Sequence, residues 1–240
     1  MNEPVRLAKR VAELRACSRR EAEHMITGGW VRVDGVVVEE PQFRVADQRV
    51  EIDPDANLEL DDAVTLLLHK PAGRAVDDAH GVPADLIATG TLWAEDASGI
   101  RPLKKHFARL SLAAPLEPSA SGLVVYTQDW RVQRKLTEDA AVLEQEFIVE
   151  VAGQLAADGL KGMNRRIPYR GRTPSAIKVS WQSENRLRVA LKGARAGEIA
   201  HLCAAAGLGV VSIKRIRIGG VSLGKVPPGQ WRYLRVDERF

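Results

Sequence analysis

The stretch Trp30-Val-Arg-Val-Asp-Gly-Val-Val-Val38 constrains the fold more than any other part of this chain. Asp34-Gly35 accepts the two positive φ angles of a tight hairpin turn, and valines flank it on both sides. The stretch therefore predicts two short strands that pair with each other. Upstream, Leu7, Val11 and Leu14 recur at helical spacing, with Arg6, Lys9, Arg10 and Glu13 around the other face. Ser18-Arg-Arg-Glu21 then opens a second helix as a capping box, hydroxyl and carboxylate each satisfying a free backbone donor. Ala22, Met25 and Ile26 give that helix a buried face, and Gly28-Gly29 stops it. A further strand is predicted near Arg49 to Ile52, so residues 1–52 read as one small unit.

Residues 53–62 carry Asp53, Asp55, Glu59, Asp61 and Asp62 and read as an acidic linker. Beyond it, Val64 to Leu68 is an apolar strand ending at Lys70-Pro71-Ala72-Gly73, where Pro and Gly force a turn. Residues 74–110 are poorly patterned; a short helix over 84–88 is the one element expected there. Strands are predicted at 123–127, 147–151, 176–181, 186–191 and 210–218, and helices at 131–136 and 197–206. Residues 63–240 thus form a second, larger domain, and the whole chain is of the α+β class. Of the five tryptophans, Trp30, Trp181 and Trp231 are expected in the core.

A chain of 240 residues with 45% hydrophobic and 28% charged residues is ordinary for a soluble protein. Its net charge of +4 is modest, but the charge is segregated. Between Lys161 and Arg195 ten Lys or Arg face the single acid Glu184, a density suited to phosphate. Two cysteines without a pairing pattern fit a reducing compartment. The longest apolar run, around Leu202 to Ile213, is too short to cross a bilayer, so a cytoplasmic protein with no membrane partner is expected. The histidines lack metal-ligand spacing, and no glycine-rich phosphate loop appears, so neither a metal nor a nucleotide cofactor is expected.

Three N-terminal blocks, Arg6-Leu7-x-Lys9, Ser18-Arg-Arg-Glu-Ala22 and Gly29-x-Val-x-Val-Asp-Gly35, resemble the RNA-binding module first named in ribosomal small-subunit protein four. Five later blocks resemble the ribosomal RNA pseudouridine synthases that carry this module, the RsuA/RluB/RluE/RluF group. They are Leu68-His-Lys-Pro-Ala-Gly73, Leu116-Glu-Pro-Ser-Ala-Ser-Gly-Leu123 with its continuation to Asp129, Glu144-Gln-Glu-Phe-Ile-Val-Glu-Val151, Ile213-Lys-Arg-Ile-Arg-Ile-Gly219 with Val221-Ser-Leu-Gly224, and Pro228-Gly-Gln-Trp-Arg-Tyr-Leu234. The resemblance spans nearly the whole chain. It implies a mixed, mainly antiparallel sheet in the second domain, structured RNA (ribosomal RNA above all) as partner, no cofactor, and a monomer. The residues expected to contact RNA are Arg6, Lys9, Ser18, Arg19, Arg20, Lys70, Arg165, Arg166, Arg170, Arg172, Lys214 and Arg215. Arg101-Pro-Leu-Lys-Lys-His106 is a further basic candidate.

In that family a uridine is drawn out of its RNA structure into a pocket. An aspartate acts on the ribose, a tyrosine packs against the uracil, and an arginine from an Arg-Gln-Ile-Arg-Arg-Met helix pairs with the aspartate. Here the aspartate position carries Glu117, with Pro115 two residues earlier. The tyrosine position carries Phe147, and the lysine two residues before it is Gln145. The arginine-rich helix reads Gly197-Glu-Ile-Ala-His-Leu-Cys203. The extra methylene of Glu117 displaces the carboxylate by about 1 Å, enough to cost about a hundredfold in a positioned reaction. Arg195 or Lys214 would be the replacement cation if Glu117 still worked; Arg109-Leu110-Ser111, read as a displaced family motif, offers no carboxylate. Three readings stay open: an isomerase using Glu117, an RNA-binding protein that has lost that chemistry, and a chain in which only the first fifty residues matter. The simultaneous changes favour the second.

Overall fold

The computed structural model describes residues 3–56, 63–77, 81–155, 159–165, 167–171 and 177–240, and it divides into two compact units. Residues 57–62 of the acidic stretch lie outside the described residues.

The first unit contains β1 (Val5–Arg6), α1 (Leu7–Arg15), α2 (Arg19–Thr27), β2 (Val31–Val33), β3 (Val36–Val37), β4 (Arg44–Val45) and β5 (Val50–Ile52). The capping box forms: Ser18 Oγ accepts from the Glu21 amide at 3.3 Å, and Glu21 Oε2 accepts from the Ser18 amide at 2.7 Å. Asp34 and Gly35 adopt φ of 50° and 81°, turning β2 antiparallel onto β3, while β5 pairs with the other edge of β2. Leu7, Val11, Ala22, Met25 and Ile26 pack against Val31, Val33 and Val45 in one core.

Residues 101–109 also belong to this unit, which residue order alone does not reveal. Arg101 Nη2 donates to the Gly29 carbonyl at 2.8 Å, and Lys104 pairs with Glu40 at 2.5 Å. His106 is buried. Arg101 and Lys104 thus hold this stretch to the unit while remaining exposed.

The second unit contains β6 (Thr65–Lys70), β7 (Ser111–Ala114), β8 (Ser121–Thr127), α3 (Trp130–Thr137), β9 (Glu144–Ala152), α4 (Gly159–Met163), β10 (Ile177–Ser183), β11 (Arg186–Lys192), α5 (Glu198–Ala205), β12 (Gly209–Ile218), β13 (Val221–Ser222) and β14 (Trp231–Tyr233). Its sheet runs β10-β11-β9-β12-β8-β6-β14, with β13 on β12 and β7 on β8. Only the β12–β8 pairing is parallel among these strands. This is the mixed, mainly antiparallel α+β arrangement expected. Two apolar clusters flank it. One joins Phe147, Val149, Leu187 and Val189 to Ile199, Leu202 and Cys203 of α5; the other joins Leu67, Leu123 and Val125 to Leu136, Ile218 and Val221.

Two expectations are corrected. Residues 84–88 form a turn, with the Leu86 and Ile87 amides both on the Pro83 carbonyl, followed by a 3-10 turn at Thr89–Thr91. Trp231 is fully buried, but Trp181 near the end of edge strand β10 is 41% exposed, because β11 covers only one of its flanks.

Candidate functional site

Glu117 lies half-buried in the loop from β7 to β8, where the Ala120 amide returns to its carbonyl at 3.2 Å and tightens the turn. Its Oε2 accepts the Gly197 N–H at 3.0 Å. Gly197 is the N-cap of α5, and the partial positive charge of free amides at a helix start favours a carboxylate. In the register that aligns Gly197-Glu-Ile-Ala-His-Leu with Arg-Gln-Ile-Arg-Arg-Met, Gly197 stands where the first arginine would be. The partner of the Glu117 carboxylate in this chain is therefore a backbone amide. Among the described residues no Lys or Arg side chain forms an ion pair with Glu117.

Two cations lie beneath this loop. Cross-strand pairing sets Lys70 of β6, Gly122 of β8 and Arg215 of β12 in one row. Gly122 is required there: a Cβ would come within 2.2 Å of the Arg215 carbonyl oxygen, and its φ is 115°. Lys70 Nζ donates to the carbonyls of Arg74, Pro71 and Pro118 at 2.7, 2.9 and 3.0 Å. Arg215 donates through Nε to Leu123 O at 2.7 Å, through Nη2 to Ala114 O at 2.7 Å, and through Nη1 to Pro115 O at 3.0 Å and Gln145 Oε1 at 3.1 Å.

These contacts correct the expectation that both cations touch RNA. Lys70 and Arg215 are 0% and 3% exposed, and each gives one of its donors to the loop that carries Glu117, Lys70 to Pro118 and Arg215 to Pro115. Burial pushes the Lys70 ammonium down to about 8; the Arg215 charge acts in the same direction and Glu117 opposes it. Burial likewise pushes Arg215 down to about 9. Gln145 supplies a side-chain acceptor to Arg215.

Phe147 pairs across strands with Arg215 and Val189, and its ring is 3% exposed in the cluster that includes Ala120 and Ile213. Lys214 is half-buried opposite Ser121, one residue out of the Arg215 row, so alternation sends it to the other face of the sheet. There it lies near His69, whose pKa is lowered by burial first and by Lys214 last, against a 2.6 Å bond to the Val226 carbonyl.

The remaining basic residues are on the surface of their units. Arg6, Lys9 and Arg20 are exposed, and Arg19 is exposed while pairing with Glu23 at 3.0 Å. Ser18 caps α2. Arg165 and Arg170 are exposed; Arg166 and Arg172 lie outside the described residues. Arg195 is exposed, its amide on Glu198 Oε2 at 2.9 Å. Arg109 belongs to the first unit and Ser111 opens β7, so that motif brings no carboxylate to Glu117.

Tyr169 was not singled out by the sequence. Its hydroxyl donates to the Ala196 carbonyl at 3.0 Å, one residue from the Glu117–Gly197 contact. The signal available was a lone tyrosine ahead of an Arg-Gly turn within the basic stretch. Among the described residues no three His, Cys, Asp or Glu side chains gather as metal ligands would, and no helix is long and apolar enough to cross a membrane.

Comparison with known proteins places this geometry. The S4 domain family matches residues 5–49. A Mycobacterium tuberculosis protein named an uncharacterized RNA pseudouridine synthase is 31% identical, over 98% of this chain and 91% of its own length. The Escherichia coli dual-specificity RNA pseudouridine synthase RluF is 27% identical, over 98% of this chain and 77% of its own. A crystal structure of a pseudouridylate synthase shares the fold at a TM-score of 0.58 and 20% identity, covering 96% of each chain.

Proposed function

Since this chain belongs to the RNA pseudouridine synthase family, we propose that it binds structured RNA, ribosomal RNA in the cell's cytoplasm, with its isomerase chemistry weakened or lost. The observation that carries this reading is the Glu117 carboxylate resting on the Gly197 amide. A carboxylate that must act on a ribose needs a fixed position and a partner that stabilises developing charge. Here the carboxylate is one methylene longer, and its partner is a neutral backbone donor. Lys70 and Arg215 are committed to other acceptors, among them the Pro118 and Pro115 carbonyls of the Glu117 loop. Phe147 keeps an aromatic ring but has no hydroxyl, and that ring is closed into the core. RNA contact then rests on exposed groups: Arg6, Lys9, Arg19 and Arg20 in the first unit, and Arg165 and Arg170 in the second.

The alternative is an active synthase with Glu117 in the aspartate's role. It draws on the same contact, because the bond to the Gly197 amide holds the carboxylate in one place.

Pseudouridine mapping of ribosomal RNA from cells with and without this gene, with a Glu117→Ala rescue strain, decides between them. The proposal expects an unchanged map together with salt-sensitive RNA binding that Glu117→Ala leaves intact. A uridine whose conversion disappears both in the deletion and in the rescue strain overturns it in favour of the active enzyme.

A further inference from the structure

Beside the Glu117–Gly197 contact is a cluster of which only Arg170 has so far been given a role. The rings of Tyr169 and His201 meet with centroids 5.2 Å apart and planes at 38°, and the Arg170 guanidinium carbon lies 5.3 Å from the Tyr169 centroid. Tyr169 is half-buried and tethered through its hydroxyl to Ala196; Arg170 and His201 are exposed. His201 is on the first turn of α5, its amide bonded to the Gly197 carbonyl at 3.0 Å. The cluster is therefore fixed to the same helix start that holds Glu117.

The backbone supplies a second observation. Arg170 and Gly171 have φ of 47° and 74°, the same pair of positive angles used by the Asp34-Gly35 turn. Asp tolerates that conformation because its short side chain bonds locally; arginine gains nothing from it. Strain of this kind collects where a side chain is wanted in a particular place. Here the strained residue is the one whose guanidinium is laid over Tyr169.

We infer that Tyr169, Arg170 and His201 form a subsite for an unpaired nucleotide next to the one directed at Glu117, the base stacking on the aromatic groups and the adjoining phosphate meeting Arg170. Aromatic and guanidinium planes together suit this chemistry, because every nucleobase offers a π face and every linkage a phosphate. The inference rests on the RNA-binding reading above, and names which surface of the second unit does the binding.

The test uses the full chain, a stem-loop RNA with an unpaired uridine-rich loop, and a blunt duplex of the same stem. Arg170→Gly removes the guanidinium while relaxing the backbone, so the fold is not at risk; His201→Ala changes an exposed helical position. Each variant is expected to weaken stem-loop binding about tenfold, leave duplex binding within about twofold, and, for Arg170→Gly, melt no lower than the wild type. Short-wave crosslinking is expected to join loop uridine to the peptide containing Tyr169. Stem-loop affinity unchanged in both variants, with the wild type still binding, overturns the subsite and leaves the parent reading standing. Equal losses on stem-loop and duplex reduce the cluster to nonspecific charge and also overturn it. A wild type that binds neither RNA overturns the parent reading, and the subsite with it.

Discussion

Arg215→Met tests how the candidate site is held. The substitution keeps much of the aliphatic volume and deletes four donated hydrogen bonds, three of them to the backbone carbonyls of Ala114, Pro115 and Leu123. Each bond from a charged donor contributes about 1.5–3 kcal/mol net, and an acceptor left buried without a partner costs about 1–3 kcal/mol. Against this, the burial cost of the guanidinium disappears with it. With several of these acceptors left unpaired, the net loss is about 3–5 kcal/mol. For a unit of this size that lowers Tm by roughly 6–20 °C. Arg215→Lys keeps the charge but not the planar fork, and is expected to lose at least ~2 kcal/mol. Amide hydrogen exchange read on β8 and β12 is the suitable assay, because it reports this sheet apart from the first unit. The Gly197 amide should lose protection in both variants, since the Glu117 loop is no longer clamped. If β8 and β12 in the Met variant open within ~1 kcal/mol of the wild type, Arg215 does not anchor the loop and the reasoning fails.

Two further perturbations follow from the same geometry. Glu146 is bonded to Arg217 at 2.7 Å and to Arg188 at 2.5 Å, and Arg217 first, then Arg188, holds its carboxyl down to about 2 against the opposing effect of burial. A depressed folded-state pKa stabilises the fold above the ordinary carboxylate range, and that contribution is lost as pH falls through about 2. Glu146→Gln should remove ~1–2 kcal/mol of that acid dependence, allowing for the solvent exposure of Arg188; urea titrations with parallel slopes from pH 5 to 2 in both proteins would contradict this. Reinstating the family arginine by Gly197→Arg should not restore isomerisation. Gly197 has φ of 80°, and a Cβ there would come within 2.5 Å of the Tyr169 hydroxyl. The variant is expected to lose ~1–2 kcal/mol, part of it recovered by Tyr169→Ala; an undiminished Tm in the single variant would refute this.

The sequence by itself determined what depends on short-range physics. Periodicity, the Ser18 capping box and the Asp34-Gly35 turn each involve neighbours within a few residues, and the α1, α2, β2 and β3 elements appear where those signals stand. The replacements at Glu117, Phe147 and Gly197 were legible because each falls inside an otherwise recognisable block. What sequence could not reach was the partner of each charge. Lys70 and Arg215 look the same on paper as Arg19 and Arg20, yet the first two are buried and the second two exposed. The difference lies in strand pairing that puts residues 70, 122 and 215 in one row, and in a loop whose carbonyls need donors. The return of residues 101–109 to the first unit and the meeting of Glu117 with Gly197 are decided in the same way, by contacts between segments far apart in the chain. Local pattern encodes which element a residue belongs to; only the packed sheet decides which groups that element brings face to face.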